Sequence, residues 1–193
     1  MKKEAYVKIE GTRPLLWHTF PLDALSSDKK KEGTKGDNSN EWKDTVLMNE
    51  SRQLYVYNTY IQSAVSEGGK EIKSGRGSIY KKVCATLEVV EPKILMDGLF
   101  VPEEDKLTRL DTDIVYLDVR AVVNPMTKGR NLRYRIATKP GWKCSFTLCW
   151  DDKIISKEQI KMCVETGGAM SGIGDGRKIG FGRFKLLEIS FGK

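Results

Sequence analysis

The chain has 193 residues, enough for one domain with a sizeable core. A hydrophobic fraction of 39% beside a charged fraction of 31% describes a soluble globular protein, and no apolar run approaches the roughly 20 residues of a membrane helix. A net charge of +7 and a pI of about 9.1 favour polyanionic partners and say nothing about fold.

The start, MKKEAYVKIE, lacks the apolar region of a signal peptide, so a cytoplasmic protein is expected. The cysteines, Cys84, Cys144, Cys149 and Cys163, form no C-x-x-C, and His18 is the single histidine. Reduced thiols are therefore expected, with neither a metal site nor a cofactor.

Tyr6 to Glu10 alternates as a half-buried strand, and Gly11-Thr12-Arg13-Pro14 breaks it. Leu15 to Phe20 is an apolar patch. Residues 26–40 are rich in Lys, Gly, Ser and Asn and read as a long exposed loop. Gln53 to Tyr57 reads as a short strand. Asn58 is placed to cap a helix through Tyr60, Ile61, Ala64 and Val65 that stops at Gly68-Gly69. Ser78 is placed to cap a second short helix through Val83 and Leu87, and Pro92 ends it. Residues 94–110 read as irregular insertion.

Ile114 to Val123 is a strand with Val115, Leu117, Val119, Ala121 and Val123 on one face, and Asp118 and Arg120 on the other. Leu132 to Trp150 reads as a hairpin turning at Lys139-Pro140-Gly141. Ser156 and Gln159 form a capping box, with Ile155 and Ile160 as a hydrophobic staple, opening a helix whose core face is Ile160, Cys163 and Val164. Gly167-Gly168 is its expected stop, and Arg183 to Phe191 is the last strand. Leaving insertions aside, the order is strand, helix, strand, strand, helix, strand. That is an α+β, ferredoxin-like (βαββαβ, RRM-like) antiparallel sheet with both helices on one face.

Between the last helix and the last strand lie glycines 172, 174, 176, 180 and 182 with Arg177, Lys178 and Arg183. Glycine permits positive φ and close backbone approach, and N–H groups flanked by cations suit an anion. A flexible turn is the simpler alternative. A nucleotide-binding phosphate loop is excluded by order, because its glycines precede a helix, whereas these precede a strand.

These elements and motifs resemble the RAMP superfamily of CRISPR-associated proteins. The match lies in Ile173-Gly174-Asp175-Gly176, a spacer of Arg177-Lys178-Ile179, and Gly180-Phe181-Gly182-Arg183. The chain is also similar to small phage and prophage proteins that open on G-T-x-P-L-L, here Gly11 to Leu16, and close on G-I-G-D and G-R-F. The resemblance implies a single RAMP-like domain over 1–193 with insertions at about 21–52 and 92–112. It also implies contact between the RNA backbone and Gly174, Gly176, Gly180, Gly182 and Arg183. It brings CRISPR-complex or phage proteins as partners, and stacking into a homo-oligomer or filament.

Residues 128–143 add a second basic element without an acid, in which Lys128, Arg130, Arg133 and Arg135 are candidate phosphate contacts. Arg133 and Arg135 share one strand face, taken as open. A solvated hairpin is the plainer account. Tyr6, Tyr116 and Phe181 are candidate base-stacking residues. The resemblance implies a general acid or base for a histidine in some processing endonucleases. The apolar setting of His18 argues for a structural role, and no catalytic residue is assigned. The Asp111/Asp113 and Asp151/Asp152 pairs fit no metal pattern.

The expected function is binding of single-stranded RNA or DNA through its backbone, without enzymatic activity. The alternatives are an assembly or inhibitor protein that mimics a CRISPR subunit, and a metal-independent ribonuclease.

Overall fold

Alternation over the first strand sets the core. In the computed structural model, which describes residues 1–20, 38–123, 126 and 128–192, β1 (Lys2–Gly11) buries Ala5, Val7 and Ile9 completely. They lie opposite Leu148, Phe146 and Cys144 of β10 (Lys143–Asp151) in antiparallel register. Each aliphatic side chain buried there contributes roughly 1.5–3 kcal/mol. The exposed loop expected over 26–40 falls outside the described residues except for 38–40.

The remaining strands are β2 (Leu15–Trp17), β3 (Gln53–Tyr57), the short β4 (Lys73–Ser74) and β5 (Gly77–Ser78), β6 (Glu88–Val89), β7 (Lys93–Phe100), β8 (Val115–Val123), β9 (Arg130–Thr138) and β11 (Phe184–Phe191). The helices are α1 (Glu41–Thr45), α2 (Asn58–Gly68), α3 (Tyr80–Thr86) and α4 (Lys157–Thr166). The main sheet has the order β11-β1-β10-β7-β3, with β6 also on β10. The fold is α+β and ferredoxin-like, with antiparallel pairing throughout this sheet.

Two strand assignments differ from the sequence reading. Lys93–Phe100, read as irregular insertion, is β7 and pairs with both β3 and β10. Its pattern was hidden by Pro92, which has no N–H to donate and splits β6 from β7. At that break the Glu91 carboxylate accepts the Thr147 N–H at 2.8 Å, replacing a ladder bond. The hairpin read over 132–150 is also corrected. Its turn exists, but β9 and β10 do not pair with each other. β9 pairs with β2 and β8 in a second, three-stranded sheet. Alternation reports two faces per strand, and cannot report which sheet a strand joins.

Ser156 and Gln159 form the expected capping box at 3.2 and 3.0 Å, and Ile155 and Ile160 are buried. α2 ends at Gly68 with Gly69 as its C-cap, as read, while the other caps differ. Asn58 opens α2 as its first helical residue, its side chain donating to the Val89 carbonyl, and α3 has Ile79 rather than Ser78 at its N-cap. Gly167-Gly168 does not stop the last helix, which continues as one π turn over Gly167–Ser171, closed by Gly172 N–H donating to the Gly167 carbonyl at 2.9 Å. Here glycine serves packing: a Cβ on Gly167 would lie 2.2 Å from the Ala64 carbonyl oxygen of α2, and one on Gly68 2.2 Å from that of Cys163. The two helices cross backbone to backbone. All four cysteines are free, and among the described residues no helix is long and apolar enough to cross a membrane.

Alanine would improve helix propensity at Gly167 by at most about 1 kcal/mol. The obstructing atoms are backbone and cannot swing aside, so overpacking of about 1–3 kcal/mol outweighs it. Gly167→Ala is expected to lower the urea midpoint at unchanged slope. An unchanged or raised midpoint contradicts the close crossing.

Candidate nucleic-acid interface

The two motifs at the chain's ends fold onto each other. The Arg183 carbonyl accepts the N–H of Thr12 at 2.8 Å, Gly182 N–H donates to Pro14 at 2.7 Å, and Asp175 N–H donates to Leu16 at 2.9 Å. All five glycines from 172 to 182 have positive φ. Gly182 is the most confined, since a Cβ would stand 1.7 Å from the Ile173 carbonyl oxygen. The segment therefore folds back on itself. Gly180 and Gly182, expected to offer backbone N–H groups to a ligand, donate them internally to Arg177 and Pro14. Gly174 lines the cavity beside α2, Arg177 and Lys178 are exposed, and Arg183 is half-buried.

The second sheet holds this segment in place. Tyr116, Ala137 and Leu16 form a small buried cluster with Phe181. Tyr116 and Phe181, expected as base-stacking platforms, instead pack together, 3% and 9% exposed. On the same face Arg135 is only 4% exposed, donating to Asp118 at 3.0 Å and to Asp175 at 2.8 Å. Arg120 adds a second bond to Asp118 at 2.6 Å and lies over the Phe181 ring, 4.8 Å from its centroid. Arg133 is ion-paired with Glu41 of α1. The expected open face is corrected at Arg135, which the glycine segment covers and pairs with its own carboxylate. Arg133, on the same face, is paired with Glu41 and keeps its side chain 40% exposed. Lys128 and Arg130 are exposed at the far end of the β8–β9 arm. Arg130 lies five residues, about 17 Å at strand spacing, from the Arg135 anchor, so the two basic elements do not bound one groove.

What flanks the glycine segment is α2. A cavity of about 240 Å³ is lined by His18, Thr59, Tyr60, Ser63, Ile173, Gly174, Asp175 and Arg177. It shares Ser63 and Arg177 with an open groove of about 290 Å³ that runs to Ser171, Lys178 and Arg183. A further hollow of about 290 Å³ extends past Gln62 and Ser66 toward Tyr80. Arg177 reaches Ser63 Oγ at 3.4 Å, and Arg183 Nη2 reaches the Arg177 carbonyl at 3.3 Å. Among the described residues none of Arg177, Lys178 and Arg183 has a carboxylate partner, and the buried Arg183 Nη1 has no acceptor. The main sheet's outer face is different. Tyr6 is exposed there, but Lys8 pairs with Asp97, Lys185 with Glu10 and Lys2 with Glu88.

The hydroxyls of Thr59 and Ser63 escaped the sequence reading. Their i, i+4 spacing places them on one helix side, but nothing local says that the glycine segment crosses it. His18 does line the cavity although Leu15, Leu16 and Trp17 before it are buried. Its Nδ1 is buried and without a partner. Burial pushes the His18 imidazole below its ordinary pKa and nearby Arg133 and Arg135 act the same way, opposed by Glu41 and Asp175. Asp151 and Asp152 receive the N-terminal ammonium at 3.0 and 2.8 Å. No metal-binding group of three ligands occurs among the described residues.

No family model and no curated protein matches the chain. Solved structures do, and 130 chains resemble it in shape. One belongs to the cryo-EM structure of the Type III-B Cmr-beta bound to cognate target RNA, at a TM-score of 0.57 and 12% identity. The likeness covers all of this chain and 61% of that one, so this chain spans less than two thirds of its length. At that identity the likeness concerns the fold alone.

Two outcomes follow from this geometry. Arg135→Met leaves Asp118 buried with Arg120 alone, and is expected to cost about 3 kcal/mol, the low end for a broken buried pair. Urea unfolding measures it, and a loss under about 1 kcal/mol contradicts the anchoring role. For His18, a folded-state pKa below the unfolded one means that the linked stability is complete above pH 6.5 and is lost as pH falls through the folded value. NMR titration of the single imidazole should give a lower midpoint in the native protein than in urea. An equal or higher native midpoint contradicts its burial.

Proposed function

We propose that this chain binds single-stranded nucleic acid along the groove between α2 and the glycine segment, gripping phosphates with Arg177, Lys178 and Arg183. The observation that carries this reading is the gathering of three cations without carboxylate partners beside one groove, where Arg183 also keeps a buried guanidinium nitrogen without an acceptor. By contrast, Arg133, Arg135 and Lys8 are each held by an acid. Such a grip positions a backbone and reads no sequence. The similar chain comes from an assembly bound to target RNA, which favours RNA as the polymer and subunits of a CRISPR-type complex as further partners. The reading is binding without cleavage, in the cytoplasm.

Fluorescence anisotropy with a labelled single strand at two salt concentrations tests it. Arg177→Glu and Arg183→Glu should each weaken binding several-fold whatever the base sequence, and should reduce the salt slope by about 0.7–1 per lost phosphate contact. Arg130→Glu, on the arm, should bind within about twofold of the parent, since it lies some 17 Å from the anchor. If the two groove variants fold and bind as the parent does with the same slope, the groove is wrong. The protein then acts through protein contacts, as an assembly or inhibitor subunit.

A further inference from the structure

The cavity at the head of the groove differs in kind from the groove. It is more enclosed, and at about 240 Å³ it lies below the roughly 300 Å³ at which pockets for drug-sized ligands begin. Its lining is polar and apolar in about equal measure. Thr59, Tyr60 and Ser63 bring hydroxyls, Arg177 a guanidinium, and His18 an imidazole whose buried Nδ1 has no partner, while Ile173 is apolar. Tyr60 Oη lies 3.4 Å from Thr19 Oγ1, a contact in which either oxygen can donate. One acid lines the cavity, Asp175, and Arg135 already holds its carboxylate at 2.8 Å. Glu67, which lines the adjoining groove, is held by Lys70 at 2.7 Å. The cationic side of the lining is thus left in excess. Thr59 and Tyr60 stand in the first turn of α2, whose positive end adds to the same field.

We propose that this cavity takes the terminal phosphate monoester of the strand that lies in the groove, so that the protein recognises a phosphorylated strand end. The inference rests on the groove reading above. An internal phosphodiester carries one charge and must leave the site on both sides. A terminal monoester carries about −1.5 to −2 at neutral pH and three acceptor oxygens, and has chain on one side only. The cavity suits the second description, with hydroxyl, guanidinium and imidazole groups in its lining and a shared boundary with the groove at Ser63 and Arg177. Charge-assisted hydrogen bonds are the stronger kind.

The test compares one internally labelled single strand in three forms: 5′-phosphorylated, 3′-phosphorylated, and hydroxyl at both ends. One phosphorylated form should bind about tenfold more tightly than the hydroxyl form, and which one it is fixes the strand's direction. In His18→Asn and Tyr60→Phe the ratio between the forms should fall toward one. Separately, inorganic phosphate added to the protein should move the His18 ring signals and raise that imidazole's pKa, as an anion beside it requires. If the three forms bind equally, the end site is overturned while the groove reading stands. If none binds, the groove reading falls. The cavity is then judged on inorganic phosphate alone, and unmoved His18 signals overturn it.

Discussion

Arg135 is the interaction on which the candidate interface depends. Its guanidinium is buried between Asp118 of β8 and Asp175 of the glycine segment, joining the second sheet to the loop that carries the free cations. The ion in such a place is costly to desolvate, and attraction to two carboxylates offsets that cost only while the geometry holds. A loop with five positive-φ glycines has large conformational entropy to lose, so it needs fixed points. Asp175, Phe181 in its apolar cluster, and the backbone bonds to Gly11–Leu16 are those points. Between them Arg177 and Lys178 remain exposed and without a carboxylate partner among the described residues, and Arg177 reaches Ser63 of α2.

The same constraint explains where the chain's positive charge acts. Arg133 and Arg135 look equivalent to Arg177 and Arg183 in a list of basic residues. The fold separates them, since two are partnered by Glu41, Asp118 and Asp175, and two are left facing the groove. A net charge of +7 therefore says less than the question of which cations lack acids.

Much of this was legible in the sequence where the signal is local. The capping box at Ser156, the alternation of β1, β8 and β10, and the ferredoxin-like element order all follow from residues within a few positions of one another. β7 was not legible because Pro92 cut its pattern and a side chain, Glu91, took over one ladder bond. Nor was the split of β9 and β10 between two sheets, because a short turn at Lys139-Pro140-Gly141 looks the same either way. At the site, the glycine segment and its cations could be named, and the faces of Arg133 and Arg135 were right. Their cover was not legible, since Glu41 and Asp175 lie 92 and 40 residues away. His18 fell between the two cases: its apolar neighbours are buried as read, yet the residue itself lines the cavity.

The central claim is that nucleic acid lies between α2 and the glycine segment. Amide hydrogen exchange, with and without a saturating single strand, tests it most directly because it maps the contact without altering the protein. The account predicts added protection over residues 59–67 and 174–183, with residues 118–123 and 130–135 of the arm unchanged. Protection confined to the arm or to the outer face of β1 and β10, with none at the glycine segment, would contradict it.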